Sequence, residues 1–400
     1  MTFAQLALIG LVALLGPALA FRQGWHLPVV LGELLAGIAI GRTGLAWVDS
    51  SDATFAFLAD LGFALVMFVA GTHVPLRNPK MLPALKAGIG RAFAVGVVAA
   101  GLGIAVASAV GTRHAPLYAV LMASSSAALI LPIIDNLGLG GPSVVGMLPQ
   151  VAIADSLCIV ALPLAIDPAH APRAALGAGS VIVAAVLLGL VYRLAEKRGW
   201  GQRVHDLSEA RGFALELRVQ LAILAALAAL AAATHVTIML AGFAFGLAVA
   251  AVGEPRRLAN QLFALTEGFF GPLYFVWLGA SLNLRDFGDH PRMIALGLAL
   301  GLGAAAAHLV GRLFGQPAPL ALLAAAQLGV PVSAVTVGTQ LGVLAPGEAA
   351  ALILGALVTI AFAVLGGARA SAAGLTATSS PSTGSPPRGT PPREPLPPAA

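Results

Sequence analysis

Thirteen runs of mostly apolar residues follow one another along this chain, at about 3–20, 28–41, 55–72, 83–109, 116–135, 143–165, 174–195, 216–233, 235–252, 269–282, 291–315, 317–342 and 348–367. A helix needs about 20 such residues to cross the hydrocarbon of a bilayer. In lipid every backbone polar group must be satisfied internally, so repeated runs of this length read as a bundle of spanning helices. The runs are continuous and rich in Ala, Leu, Gly and Val, which argues against a transmembrane barrel with its alternating polar and apolar residues. Of the 400 residues 58% are hydrophobic and only 10% charged, against about 25% in an ordinary soluble domain. The fold class is therefore an all-α polytopic membrane protein.

The single cysteine, Cys158, has no partner for a disulfide. The first run has no basic segment before it and no convincing cleavage site at Ala20, so it reads as a first spanning helix rather than a removed signal. The net charge of +5 is no argument for nucleic acid, because the basic residues fall between the apolar runs. With the N-terminus outside, sixteen Lys and Arg fall on the cytoplasmic side. Five fall outside: Arg42, Arg113, Arg173, Arg285 and Arg292. This bias fixes the expected orientation in an inner (plasma) membrane as N-out and C-in. Residues 196–215 form the longest charged loop and join two halves on the cytoplasmic side; 254–267 read as a short surface helix. Two regions result, a transmembrane region over 1–367 and a Pro/Ser/Thr-rich cytoplasmic tail over 368–400, with too little apolar surface to fold.

Two of the runs are interrupted. The fifth carries Ser124, Ser125 and Ser126 midway, then Pro132; the twelfth carries Gly329, Pro331, Ser333, Thr336 and Gly338. Proline withdraws a donor and disturbs the carbonyl four residues back, here that of Ala128 for Pro132. The two lie seven runs apart, so they run in opposite directions, as an inverted repeat requires. Such paired interruptions point to the binding site of a secondary transporter.

Asp155 stands one run after the first interruption and is the only charged residue from Ser143 to Ile166. A carboxylate at mid-membrane costs about 2.5–3.5 kcal/mol on insertion scales and usually serves an ion or proton path. A cation and a proton compete for such a group, and competition at a site open to either side in turn is exchange. With one carboxylate and no neighbouring lysine, the simplest exchange is one cation for one proton. Ser124, Ser125, Ser126 and Thr336 supply oxygens of the kind hard cations take; each hydroxyl could equally serve a helix–helix hydrogen bond. Arg91 and Arg312 occupy matching places in the fourth and eleventh runs, where each could neutralise the negative end of a broken half-helix. Glu33, Asp60, His73, Glu267 and His308 read as structural or interfacial. No HxxxH, HExxH or Walker-type pattern occurs, so the chain does not read as an enzyme, and no cofactor is called for.

These segments resemble, in order, the monovalent cation:proton antiporter-2 family, the Kef- and NapA-like group. LPVVLGELLAGIAIGRTGL at 27–45 resembles its second-span signature, with Pro28, Gly32, Glu33, Gly37 and Gly41 at the usual spacing. LADLGFALVMFVAGTHVPL at 58–76, SSSAALILPIIDNLG, GMLPQVAIADSLCIV and GPLYFVWLGASLNL at 271–284 are similar to the following span, the broken helix, the ion-binding span and the phenylalanine-rich span. The resemblance covers about 1–367. It implies a sodium/proton-antiporter fold with crossing broken helices, a mobile six-helix core, a dimerisation panel in a homodimer, and exchange of Na+ or K+ for protons. Three positions depart from the pattern. Ala154 replaces the polar residue usual before the ion-binding Asp. Gly329–Val332 carries no charge where many members have Arg or Lys. Thr72 and His73 replace an acidic position. These departures keep other readings open: an organic-anion/sodium symporter of the same fold, a non-transporting membrane sensor, or a gated potassium efflux system.

Overall fold

A computed structural model describes residues 1–21, 29–72, 81–168, 171–199, 211, 213–234, 236–252 and 256–376. The long charged loop, His73, the expected acidic-position change there and the tail beyond 376 lie wholly or mostly outside the described residues.

Among the described residues the regular structure is helical, joined by turns, with one isolated bridge between Leu139 and Thr376. The helices are α1 (Phe3–Ala13), α2 (Leu15–Ala20), α3 (Val29–Ile40), α4 (Ala53–Thr72), α5 (Met81–Val110), α6 (Ala115–Ala123), α7 (Ala127–Asn136), α8 (Pro142–Ile166) and α9 (Ala171–Lys197). They continue as α10 (Leu215–Ala233), α11 (Ile238–Val252), α12 (Arg256–Leu265), α13 (Gly271–Ser281), α14 (Asp286–Asp289), α15 (Arg292–Leu309), α16 (Ala318–Ala324), α17 (Gly329–Leu341) and α18 (Glu348–Ala372). A π-helical turn, Thr266–Phe270, joins α12 to α13, and a 3-10 turn, Val310–Phe314, extends α15. Ten spans among the described residues are long and apolar enough to cross a membrane; α3 and α11 are shorter apolar helices beside them. The expected surface helix near 254–267 is α12, which runs on into the tenth span. The last span continues to Ala372, past the expected end at 367.

The helices pack in two sets. One is built on α3, α4, α11 and α13; the other joins α5, α6, α8, α15, α16, α17 and α18, and α9 packs on both. In the first set glycines let backbones touch. A Cβ on Gly246 would lie 2.2 Å from the carbonyl oxygen of Phe68, and one on Gly37 would lie 2.1 Å from that of Val276. Small residues at such crossings are how helices associate where lipid is as apolar as their side chains. The second set covers the runs at about 83–109, 116–135, 143–165, 291–315, 317–342 and 348–367, the two halves of the expected repeat.

Burial separates lipid-facing from interior spans. Leu176, Val183, Val186, Leu187 and Leu190 of α9 are exposed, a stripe that only lipid or another protein can cover. In contrast 83% of the Ala318–Leu341 window is buried, against 22% for that of α5. The second interrupted helix is therefore a central element, wrapped by its neighbours.

Both interruptions exist, but neither lies at its proline. The first falls at Ser124–Ser126, between α6 and α7, and α7 continues helical through Pro132 to Asn136. The second falls at 325–328, and Pro331 is the third residue of α17. In a first turn the backbone N–H has no partner within the helix, so proline costs nothing there. Pro331 follows a break that the preceding residues make.

Candidate ion-binding site

At the first break α6 ends on Ala123, and Ser124 turns to extended backbone (φ −72°, ψ 155°). Its backbone N–H and its hydroxyl both donate to the carbonyl of Leu121, at 3.1 and 2.8 Å. The chain re-enters a helix at Ala127, whose first N–H groups have no partner inside α7. One of them is met by a charge. Asp155, buried on α8, accepts the N–H of Ala127 on Oδ2 at 3.1 Å. A carboxylate at a helix N-terminus meets both the free N–H and the positive end of the helix dipole.

Ser125 ties the first break to the second. Its hydroxyl donates to the carbonyl of Ala324, the last residue of α16, at 2.7 Å. The same oxygen lies 3.3 Å from Nε2 of His308, whose Nδ1 lies 2.9 Å from the carbonyl of Ala304. Gln327, within the second break, donates its side-chain amide to the carbonyl of Ser124 at 3.4 Å. Its backbone N–H donates to Thr359 Oγ1 of α18 at 3.2 Å. The two breaks are thus joined by hydrogen bonds in both directions, with Asp155 against one of them.

Of the residues singled out from sequence, Asp155 and Ser124–Ser126 come together; all are buried. Ser126 Oγ has no hydrogen-bond partner among the described residues. Thr336 lies in the third turn of α17, beyond the break, and its hydroxyl donates to Val332 in its own helix at 3.0 Å. Arg91 does not reach a broken half-helix. It donates to the carbonyls of Gly146, in the first turns of α8, and Phe314, at the end of the 3-10 turn, at 3.0 and 3.1 Å. Arg312 is exposed. Glu33 is buried on α3 beside Gly16, in the other set of helices from Asp155, with no cationic partner among the described residues.

Residues 10–374 match the family described as "Sodium/hydrogen exchanger, transmembrane". The chain belongs to this exchanger family. It is 23% identical to "Putative Na(+)/H(+) antiporter YjbQ" of Bacillus subtilis (strain 168) over 389 residues, covering 90% of this chain and 61% of that protein. It therefore spans about three-fifths of that relative's length. A Na(+)/H(+) antiporter of Enterococcus hirae is 24% identical over 331 residues, 78% of this chain and 80% of that one. Among solved structures, the sodium proton antiporter MjNhaP1 from Methanocaldococcus jannaschii at pH 8 superposes with TM-score 0.64 at 18% identity, over 91% of this chain and 95% of that one. A map of the same antiporter by electron microscopy gives 0.65 over 94% and 97%. These likenesses show the antiporter fold in a multi-span membrane protein.

Two buried amides are not among the residues to which the sequence points. Gln150 on α8 is fully buried, with neither side-chain atom hydrogen-bonded among the described residues. Gln327 bridges the breaks. Each is an amide inside an otherwise apolar run, a weaker signal than a charge.

Proposed function

We propose that this chain exchanges a monovalent cation, Na+ or K+, for protons across the membrane by alternating access. Asp155 is the carboxylate that proton and cation share. The observation that carries the reading is the meeting of a buried carboxylate, the only charge in its span, with a serine-lined helix break that is itself bonded to a second break. At such a place unwound carbonyls and hydroxyls replace part of a cation's hydration, and the carboxylate supplies charge. The family and the antiporter names of its relatives support the same reading.

The finer points follow from it. One carboxylate without an adjacent lysine supports one-for-one, electroneutral exchange. The six core spans move against the other set, which joins two copies in a homodimer. The N-terminus is outside and the C-terminus cytoplasmic in the plasma membrane. The Kef- and NapA-like group is the proposed branch of the family. Ser124, Ser125 and Ser126 contribute oxygens to the cation, and Thr336 adds at most a distant one.

The test is a pH-dye assay in everted vesicles. Dequenching on adding Na+ or K+ is expected for the wild type and absent for Asp155→Asn. No response of the wild type to either ion removes the exchange reading, and an unchanged Asp155→Asn response removes this residue from it. In reconstituted vesicles, a transport current that grows with voltage would overturn electroneutrality.

A further inference from the structure

Besides Asp155 and Glu33, a third buried carboxylate lies far from Asp155 in sequence and is not used by the exchange step. Glu348, the first residue of α18, is fully buried and holds three hydrogen bonds. Its Oε1 accepts the hydroxyl of Tyr118 at 2.6 Å and lies 2.7 Å from Nδ1 of His114. Its Oε2 accepts the backbone N–H of Ala345 at 2.7 Å. His114 precedes α6 and Tyr118 sits in its first turn, so Oε1 holds the start of the first interrupted helix. Ala345 lies in the turn that leaves α17, so Oε2 holds the exit of the second.

We propose that His114, Tyr118 and Glu348 form a proton-responsive clamp that fixes these two helix ends to each other, tightened by protons arriving from their own face of the membrane. This face is the one where α5 ends and α6 begins; in the orientation proposed above it is the outside, and the assignment of side rests on that reading.

The geometry gives each member a separate task. Glu348 is out of water, so its charge persists only because three donors converge on it. Tyr118 and Ala345 donate at any ordinary pH. His114 is different: its side chain keeps 20% of its exposure, so it can exchange protons with the solvent that Glu348 cannot reach. Neutral, it gives one N–H to the carboxylate. Protonated, it adds a full opposite charge at 2.7 Å. Its hydrogen bond to Glu348 raises its pKa above the ordinary imidazole value, with burial opposing. A raised value means that the extra attraction is fully present below about pH 6.5, the unperturbed value, and is lost as pH rises through the raised one.

The imidazole is faced by Tyr118 of its own helix and by Glu348 of α18. Arg113 is its chain neighbour. From the α15 side His290 flanks Gly347, its Cβ 3.6 Å from where a Cβ on that glycine would be, and Arg292 follows at the start of α15. Of the other charges on packed elements, Arg91 is engaged by Gly146 in the N-terminal half of α5, and His308 lies at the breaks. Among the described residues only Glu348 forms an ion pair with His114. A clamp that joins both interrupted helices at one face holds shut the arrangement seen here, in which Asp155 is buried. Loosening it frees the approach from that face.

The test compares wild type with His114→Gln, which keeps an amide donor but cannot titrate there. In oriented reconstituted vesicles the ratio of wild-type to variant exchange rate should fall as the pH on the clamp face drops from 8.5 to 6. It should stay flat when the pH on the opposite face is varied. Proton competition at Asp155 is common to both proteins and cancels in the ratio. A second readout needs no transport. In detergent, the thermal midpoint of wild type should exceed that of His114→Gln more at pH 6 than at pH 8.5, and the difference should vanish in a Glu348→Gln background. A rate ratio indifferent to clamp-face pH, or a midpoint difference equal at both pH values, overturns the clamp. A ratio that responds only to the opposite face overturns its side. If the wild type exchanges no cation, the exchange reading falls and the thermal comparison alone decides the clamp.

Discussion

The two interrupted helices share a geometry and differ in chemistry. The first break is three serines, Ser124–Ser126, set against a carboxylate; the second is Ala325, Ala326, Gln327 and Leu328, with one amide and no ionisable group. Its freed backbone is served from within the protein, by Ser125 on Ala324 and by Thr359 on Gln327. Irregular backbone at membrane depth survives only when it is buried in protein or lines a wet cavity. The second break meets the first condition, and its span is the most buried of the membrane-crossing candidates. An inverted repeat thus need not divide its chemistry evenly. In the proposed site one break carries the hydroxyls and faces the carboxylate, and the other supplies a carbonyl and a surface to lean on.

The sharpest way to break this contrast is to move the charge. Asp155→Asn should leave a folded protein with no cation-dependent proton movement in the vesicle assay. A protein with full exchange would mean that the serine break is not where coupling happens. Next in size is Ser125→Ala, which removes the bond between the breaks and leaves the Ala324 carbonyl buried without that donor. A hydrogen bond of this kind is worth about 1 kcal/mol, or roughly a fivefold change in an equilibrium constant. The apparent KM for the cation should rise severalfold, measured from the dequenching response against ion concentration. The counter-substitution Ala326→Ser should leave it nearly unchanged; a comparable shift from both would make the two breaks equivalent.

How far the sequence could anticipate this difference depends on the range of the interactions. Span positions follow from apolar runs, a local property, and the breaks from serines and glycines that local composition displays. Asp155 was conspicuous because nothing else in its run is charged. The breaks precede the prolines by a few residues: a half-helix starts where side chains from other spans can take up free N–H groups, Pro331 then fits in the new first turn, and Pro132 is carried inside α7. Arg91 is expected at a broken half-helix and instead donates to carbonyls at the start of α8, Gly146, and at the end of the 3-10 turn, Phe314, contacts that no local pattern announces. The pairing of His114 with Glu348 spans 234 residues. Nothing in either neighbourhood announces it, since a carboxylate at the start of an apolar run reads as an ordinary interfacial group. Gln150 and Gln327 are uncharged, and an amide in an apolar run stands out less than a carboxylate does.

Two smaller substitutions sharpen the contrast from the structural side. Thr359→Val keeps volume but takes the acceptor from the Gln327 N–H. It should lower the thermal midpoint, at a cost of about 1–3 kcal/mol for a buried donor left unpaired, while the cation KM of the surviving protein stays close to wild type. A KM shift as large as that of Ser125→Ala would show that the second break also shapes the ligand set.

Thr336→Val should do least. Its hydroxyl already bonds Val332 in the same helix, at 3.0 Å, and such a bond to the carbonyl four residues back gives a helix little, because that carbonyl keeps its backbone partner. Midpoint and KM should both stay near wild type, the first read by thermal unfolding in detergent and the second by titrating Na+ and K+ separately. If KM rises for one ion and not the other, Thr336 joins the site in a state with α17 turned or advanced relative to α8. The second interrupted helix would then be a ligand-bearing element in that state, and the division of labour between the two breaks would hold only for the arrangement seen here.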